Sequence, residues 1–108
     1  MNAAREVAFV DTAAPDFDAL LAVLSKACEV VVVRPGGDVP AQLVEALAAR
    51  PTVDTVHVFA HGLAGNFRFG GAPMDKGAFE RLARHLRAEA FGPGVRSRLL
   101  LYRLFRRS

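Results

Sequence analysis

Glu29-Val30-Val31-Val32-Val33-Arg34 is the stretch that decides the fold class. Four consecutive valines are β-branched, and they point apolar side chains to both faces of a strand. Such a run suits an interior strand of a parallel sheet covered on both sides. Upstream, Glu6 to Asp11 (Glu-Val-Ala-Phe-Val-Asp) predicts a first buried strand that ends in a carboxylate. Between the two, Pro15-Asp16 gives a turn and a helix start. Phe17, Leu20, Leu21 and Leu24 follow at i, i+3, i+4 and i+7, which is one apolar helical stripe.

Downstream, Pro35-Gly36-Gly37 breaks the chain, and Asp38 can cap a helix that Pro40 opens. Its stripe is Leu43, Ala46 and Leu47, and Arg50-Pro51 ends it because the residue before proline is steered out of the helical region. Val53 to Ala60 predicts a third strand, closed by His61-Gly62. Phe67 and Phe69 alternate before Gly70-Gly71, and Ala72-Pro73-Met74 returns, the pattern of a small hairpin with Pro73 on its edge. Asp75 can cap a third helix with the stripe Phe79, Leu82 and Leu86. Gly92-Pro93-Gly94 stops it, and Arg98 to Tyr102 is a fourth strand.

The order βαβαβ, hairpin, αβ predicts an α/β fold: a mostly parallel sheet of about four strands with flanking helices. At 108 residues the chain fits one domain, with its core at 5–102 and a basic tail at 103–108. A chain of this length buries roughly two-thirds of its unfolded surface. Hydrophobic residues make up 52% and charged residues 23%, a globular composition rather than a disordered one.

The single cysteine, Cys28, excludes an intrachain disulfide and a thiolate metal cluster. No metal and no cofactor is expected. The N-terminus lacks the basic start and apolar run of a signal peptide, and no apolar run approaches bilayer length, so the chain as written reads as cytoplasmic with no membrane span.

The net charge of +3 is unevenly spread. From Leu63 onward ten basic residues (Arg68, Lys76, Arg81, Arg84, Arg87, Arg96, Arg98, Arg103, Arg106 and Arg107) face only Asp75, Glu80 and Glu89. A basic end attracts anions, but only Tyr102 and Phe105 interleave with the arginines, a weak signal for nucleic acid.

In an open parallel sheet, ligands bind beyond the carboxyl ends of the strands. Asp11, Arg34 and His61 close three of the predicted strands there, and Asn66 lies in the loop that follows. Asp11, Arg34 and Asn66 are therefore the candidate ligand-binding residues. His61 is the candidate general base, and the N–H of Gly62 the candidate oxyanion donor. His57 reads as a core histidine and His85 as a solvated one.

Val7-Ala8-Phe9-Val10-Asp11, Val30-Val31-Val32-Val33-Arg34-Pro35, Ala46-Leu47-Ala48-Ala49-Arg50 and Val53-Asp54-Thr55-Val56-His57-Val58-Phe59-Ala60-His61-Gly62 occur in a recognisable order, followed by Gly65-Asn66-Phe67-Arg68-Phe69-Gly70. Across residues 5–102 the chain resembles a bacterial domain of unknown function found near the N-termini of large secreted adhesins and calcium-binding-repeat proteins. That family is similar to the caspase, gingipain and legumain group of cysteine peptidases. The resemblance implies a partial caspase-like three-layer sandwich, parent proteins that are secreted or surface-attached, His61-Gly62 after the third strand and Gly-Cys after the fourth.

This sequence departs from the pattern at the nucleophile. Arg103-Leu104 follows Leu99-Leu100-Leu101-Tyr102, where Gly-Cys is implied. Cys28 lies at the amino edge of the sheet and His61 at the carboxyl edge, roughly 20 Å away across six strand residues. Ser97 precedes the fourth strand and Ser108 ends the chain, so neither replaces the cysteine. The abrupt arginine-rich ending suggests a frame shifted or cut before the Gly-Cys pair, the alternative being a genuine basic C-terminus.

The expected function is therefore a non-catalytic caspase-like domain. Two alternatives remain: half of a cysteine-peptidase site completed by another chain, and a small anion- or nucleic-acid-binding module using the C-terminal arginines. A fourth strand left at the edge also predicts self-association.

Overall fold

The computed structural model describes residues 5–50, 52–63, 66–90 and 98–105. Nine elements follow in order: β1 (Arg5–Asp11), α1 (Phe17–Leu24), β2 (Glu29–Val33), α2 (Val39–Ala48), β3 (Val53–Leu63), β4 (Asn66–Phe69), β5 (Ala72–Pro73), α3 (Lys76–Glu89) and β6 (Arg98–Phe105).

Two helix starts are built as their sequences predict. Asp38 Oδ1 accepts the Ala41 N–H at 3.0 Å, and Asp75 Oδ1 accepts the Ala78 N–H at 2.7 Å. Each bond satisfies a first-turn donor that the helix itself cannot. Asp16 differs: it precedes α1 in a left-handed conformation with φ 51° and makes no side-chain cap bond.

The fold is mixed α/β, and the expectation of a mostly parallel, roughly four-stranded sheet is corrected. The sheet has six strands of mixed orientation, in the order β2-β1-β3-β4-β5 with β6 also on β3. β2, β1, β3 and β6 run parallel, whereas β4 and β5 are antiparallel to their neighbours. The reason lies in the length of β3. Its pairing with β1 stops at Phe59 opposite Val10, and the strand then overruns to Leu63. β6 covers Gly62 on one side, so β4 takes residues 61–63 on the other, in the space beyond the end of β1. The predicted hairpin thus joins the main sheet.

β2 is an edge strand, not an interior one: among the described residues it pairs only with β1. Val30 and Val31 are only half-buried. Val33 is buried, while Val32 is 42% exposed. β6 also runs further than predicted, through Arg103 and Leu104 to Phe105, so those residues belong to the sheet and not to a tail. The Gly92-Pro93-Gly94 stop, Ser97 and Ser108 lie outside the described residues.

Alternation along β3 divides the core. Val56, Val58 and Ala60 join Val7, Phe9, Leu43, Leu47, Phe69, Leu82 and Leu86 in the larger cluster, under α2 and α3. Phe59 turns to the opposite face with Ala8, Val10 and Ala14, where Phe17, Leu20 and Leu24 of α1 pack. A register shift between Arg5 and Glu6 sets Asp54 out of step, which lets Val53 as well as Val56 reach the larger cluster. Helices therefore lie on both faces of the sheet, but unequally: α2 and α3 contribute buried residues and α1 contributes none.

Candidate functional site

Asp11 ends β1 fully buried, and His61 on β3 is 6% exposed. The imidazole Nε2 lies 3.0 Å from Asp11 Oδ1 and 3.1 Å from Oδ2. A carboxylate only accepts, so Nε2 carries the proton of this bond and Nδ1 of the neutral ring bears the lone pair. Two backbone donors complete the cradle: the N–H of Ala13 reaches Asp11 Oδ1 at 2.9 Å, and that of Gly70 reaches Oδ2 at 2.6 Å. Strand β1 supplies the acceptor, β3 the ring, and the β4–β5 turn a clamp. Nδ1 of His61 is buried with no hydrogen-bond partner among the described residues.

Gly62 follows with φ 142°, a conformation open to glycine but strained for other residues. A Cβ there would also run into the carbonyl oxygen of Asn66. Only a residue without a side chain fits where β3 and β4 meet at this point.

On the other side of β3, β6 runs parallel with His57 opposite Leu100, His61 opposite Leu104 and Gly62 opposite Phe105. The position beside His61 on the neighbouring strand is thus a leucine, which offers no nucleophilic atom.

With this geometry in hand, one family model matches the chain, that of a domain of unknown function, DUF4347, over residues 7–103. The chain belongs to the DUF4347 family. No curated protein and no solved structure matches it.

The DUF4347 domain brings together only some of the residues singled out from sequence. Asp11, His61 and Gly62 meet at one end of the sheet, with Asn66 starting β4 against Gly62. His61 lies inside β3 and not at its end, because the strand continues to Leu63. Arg34 follows Val33, the register partner of Asp11, but its side chain points to solvent. Its backbone N–H and C=O are both bonded at 3.0 Å by the side-chain amide of Gln42.

Cys28 precedes β2 at the opposite end of the sheet from Asp11. It is half-buried against the smaller cluster rather than fully buried, and its thiol donates to the Leu24 carbonyl at 3.5 Å. Burial pushes the thiol above its ordinary value, and the nearby Glu6 charge pushes the same way. Both effects disfavour the thiolate, the reactive form.

His57 is the site residue that sequence reasoning misjudged. It is half-buried, and it belongs to a polar chain rather than to the core. Its Nε2 lies 2.6 Å from Glu6 Oε1 and its Nδ1 lies 2.8 Å from the Tyr102 hydroxyl. Tyr102 in turn stacks on Phe59, with ring centroids 4.6 Å apart at 11°. The parity shared by His57 and Phe59 was visible in the sequence, but the strands that flank them were not. His85 is exposed on α3, as its surroundings predict.

Among the described residues no group of three or more histidine, cysteine, aspartate or glutamate side chains gathers to hold a metal ion. None of their helices is long and apolar enough to cross a membrane.

Proposed function

We propose that this DUF4347 domain is a caspase-like module that is non-catalytic: it keeps an oriented base and lacks the nucleophile. The observation that carries this reading is the pairing of His61 with Leu104 across β3 and β6. A general base must come within about 3 Å of the group it deprotonates, directly or through one water. His61, whose Nδ1 has no hydrogen-bond partner among the described residues, and its orienting carboxylate Asp11 are the second and third parts of a nucleophile–base–orienter arrangement. The first part is missing, since the strand position in register is Leu104 and Cys28 is at the far end of the sheet. Helices on both faces of the sheet support a partial three-layer sandwich of caspase type. The resemblance to adhesin-associated domains supports a role as a module of a secreted or surface-attached protein.

The test is direct. An irreversible probe for caspase-type cysteines is expected to label nothing in the purified protein, and a mixed peptide library is expected to remain uncut. Cleavage that disappears in His61→Ala would overturn the reading. In the double variant Arg103→Gly/Leu104→Cys, the new thiol should alkylate faster than Cys28, because His61 can accept its proton.

The outer side of β6 carries no partner strand among the described residues, which supports self-association through that edge. Light scattering that shows only monomer at high concentration would count against it.

A further inference from the structure

We propose that Tyr102 is a reactive site separate from His61: a phenol activated to capture an acyl group from an activated ester. The inference goes beyond the reading of His61 and does not depend on it. Three side chains on three adjacent strands carry it. Glu6 of β1 pairs with Thr55, two residues before His57 on β3, and Tyr102 of β6 pairs with Phe59, two residues after it. Diagonal neighbours of this kind share a face and lie within reach of long side chains.

The Glu6 carboxylate accepts from His57 Nε2 at 2.6 Å, which fixes the proton on that nitrogen. In the neutral ring Nδ1 is then the acceptor, and the Tyr102 hydroxyl donates to it at 2.8 Å. This is the arrangement of an activated nucleophile: a hydroxyl in hydrogen-bond contact with a base, and the base held by a third group. Stacking on Phe59 holds the phenol in place, while 37% of Tyr102 remains exposed to an incoming reagent. The Asp11–His61 pair has the same carboxylate–imidazole order but faces a leucine position. Here the acceptor nitrogen faces a hydroxyl.

The reaction balances with an aryl ester or thioester as co-reactant. The Tyr102 oxygen attacks the carbonyl carbon while its O–H bond breaks and the proton moves to His57 Nδ1. Collapse of the tetrahedral intermediate breaks the bond to the leaving group, which departs as phenolate or thiolate. The product is an O-acyl Tyr102, and the imidazolium returns its proton to water. His57 is the general base and Glu6 a positioning residue.

The experiment treats the full chain with p-nitrophenyl acetate, follows nitrophenolate release and maps acetyl groups by peptide mass spectrometry. One equivalent of nitrophenolate and acetyl on Tyr102 is the expected result. Tyr102→Phe, which keeps the stacked ring, should abolish the burst. His57→Ala should slow it about a hundredfold, the lower end of the usual contribution of a general base. The burst should show a solvent deuterium isotope effect in the parent chain and lose it in His57→Ala, which a purely structural role for His57 would not give. Glu6→Gln should slow the burst while leaving the circular dichroism spectrum unchanged. Acetyl found only on lysines or the N-terminus, or a burst unchanged in Tyr102→Phe or His57→Ala, overturns the proposal.

Discussion

The N–H of Gly70 meets Asp11 Oδ2 at 2.6 Å across 59 residues of sequence, and this bond ties the β4–β5 hairpin to the end of β1. The same carboxylate orients His61, so one buried side chain holds together a strand end, a turn and an imidazole. Removing it leaves three donors to be satisfied, two of them in buried bonds.

Asp11→Ala should therefore destabilise the fold by about 3 kcal/mol, since unsatisfied buried donors cost about 1–3 kcal/mol each and partly relax. Urea unfolding measures this, and a loss under about 1 kcal/mol would mean that water replaces the carboxylate.

Gly62→Ala should cost about 1–3 kcal/mol, the usual penalty for forcing a side chain into a sparsely populated backbone region. Its φ of 142° and the approach of the Asn66 carbonyl both act against a Cβ. Thermal unfolding reads the effect. Gly36→Ala is the comparison: it shares a positive φ of 86° but has open space around it, so it should cost less.

Leu43→Ala removes a fully buried side chain between α2 and the sheet and should cost about 2–5 kcal/mol. Leu24→Ala on α1 should cost clearly less, because that helix has no buried residue. Equal losses would show that the two faces of the sheet are equally well packed.

Cys28 should react with a disulfide reagent at about pH 8 more slowly than free cysteine, and denaturant should remove the difference. The folded state favours the neutral thiol, with burial the larger cause and Glu6 the smaller. The folded chain thus holds this proton to higher pH than the unfolded one. The stability linked to it is present below the ordinary thiol value of 9.0 and is lost as pH rises through the raised one. Cys28→Ala should flatten that alkaline decline, as measured by denaturation at a series of pH values.

What the sequence revealed follows the range of the interaction. The caps at Asp38 and Asp75 act over three residues, and both were readable from spacing alone. Asp11 and His61 could be assigned to the same end of the sheet because each follows an apolar strand. Their bond could not, since it depends on the lateral order of strands 50 residues apart. The valine run misled for a related reason: an apolar strand can still lie at an edge with one of its valines open to solvent, as β2 does with Val32. Glu6, His57 and Tyr102 lie at comparable separations, 51 and 45 residues, and only the register of three strands brings them together. The length of β3 was hidden by His61-Gly62, a pair that breaks the apolar pattern without breaking the strand.

The sparse anchoring of α1 has a dynamic consequence. With eight residues, no buried side chain and no side-chain cap at Asp16, it is the cheapest part of the fold to detach. Its amide protons should exchange with solvent well before those of α2 and α3, while the rest of the molecule stays intact. Each such opening uncovers Phe59, Val10 and the Cys28 thiol together, yet leaves Asp11 clamped by Gly70 from the hairpin side. The protein is then a rigid plate with one loosely latched cover.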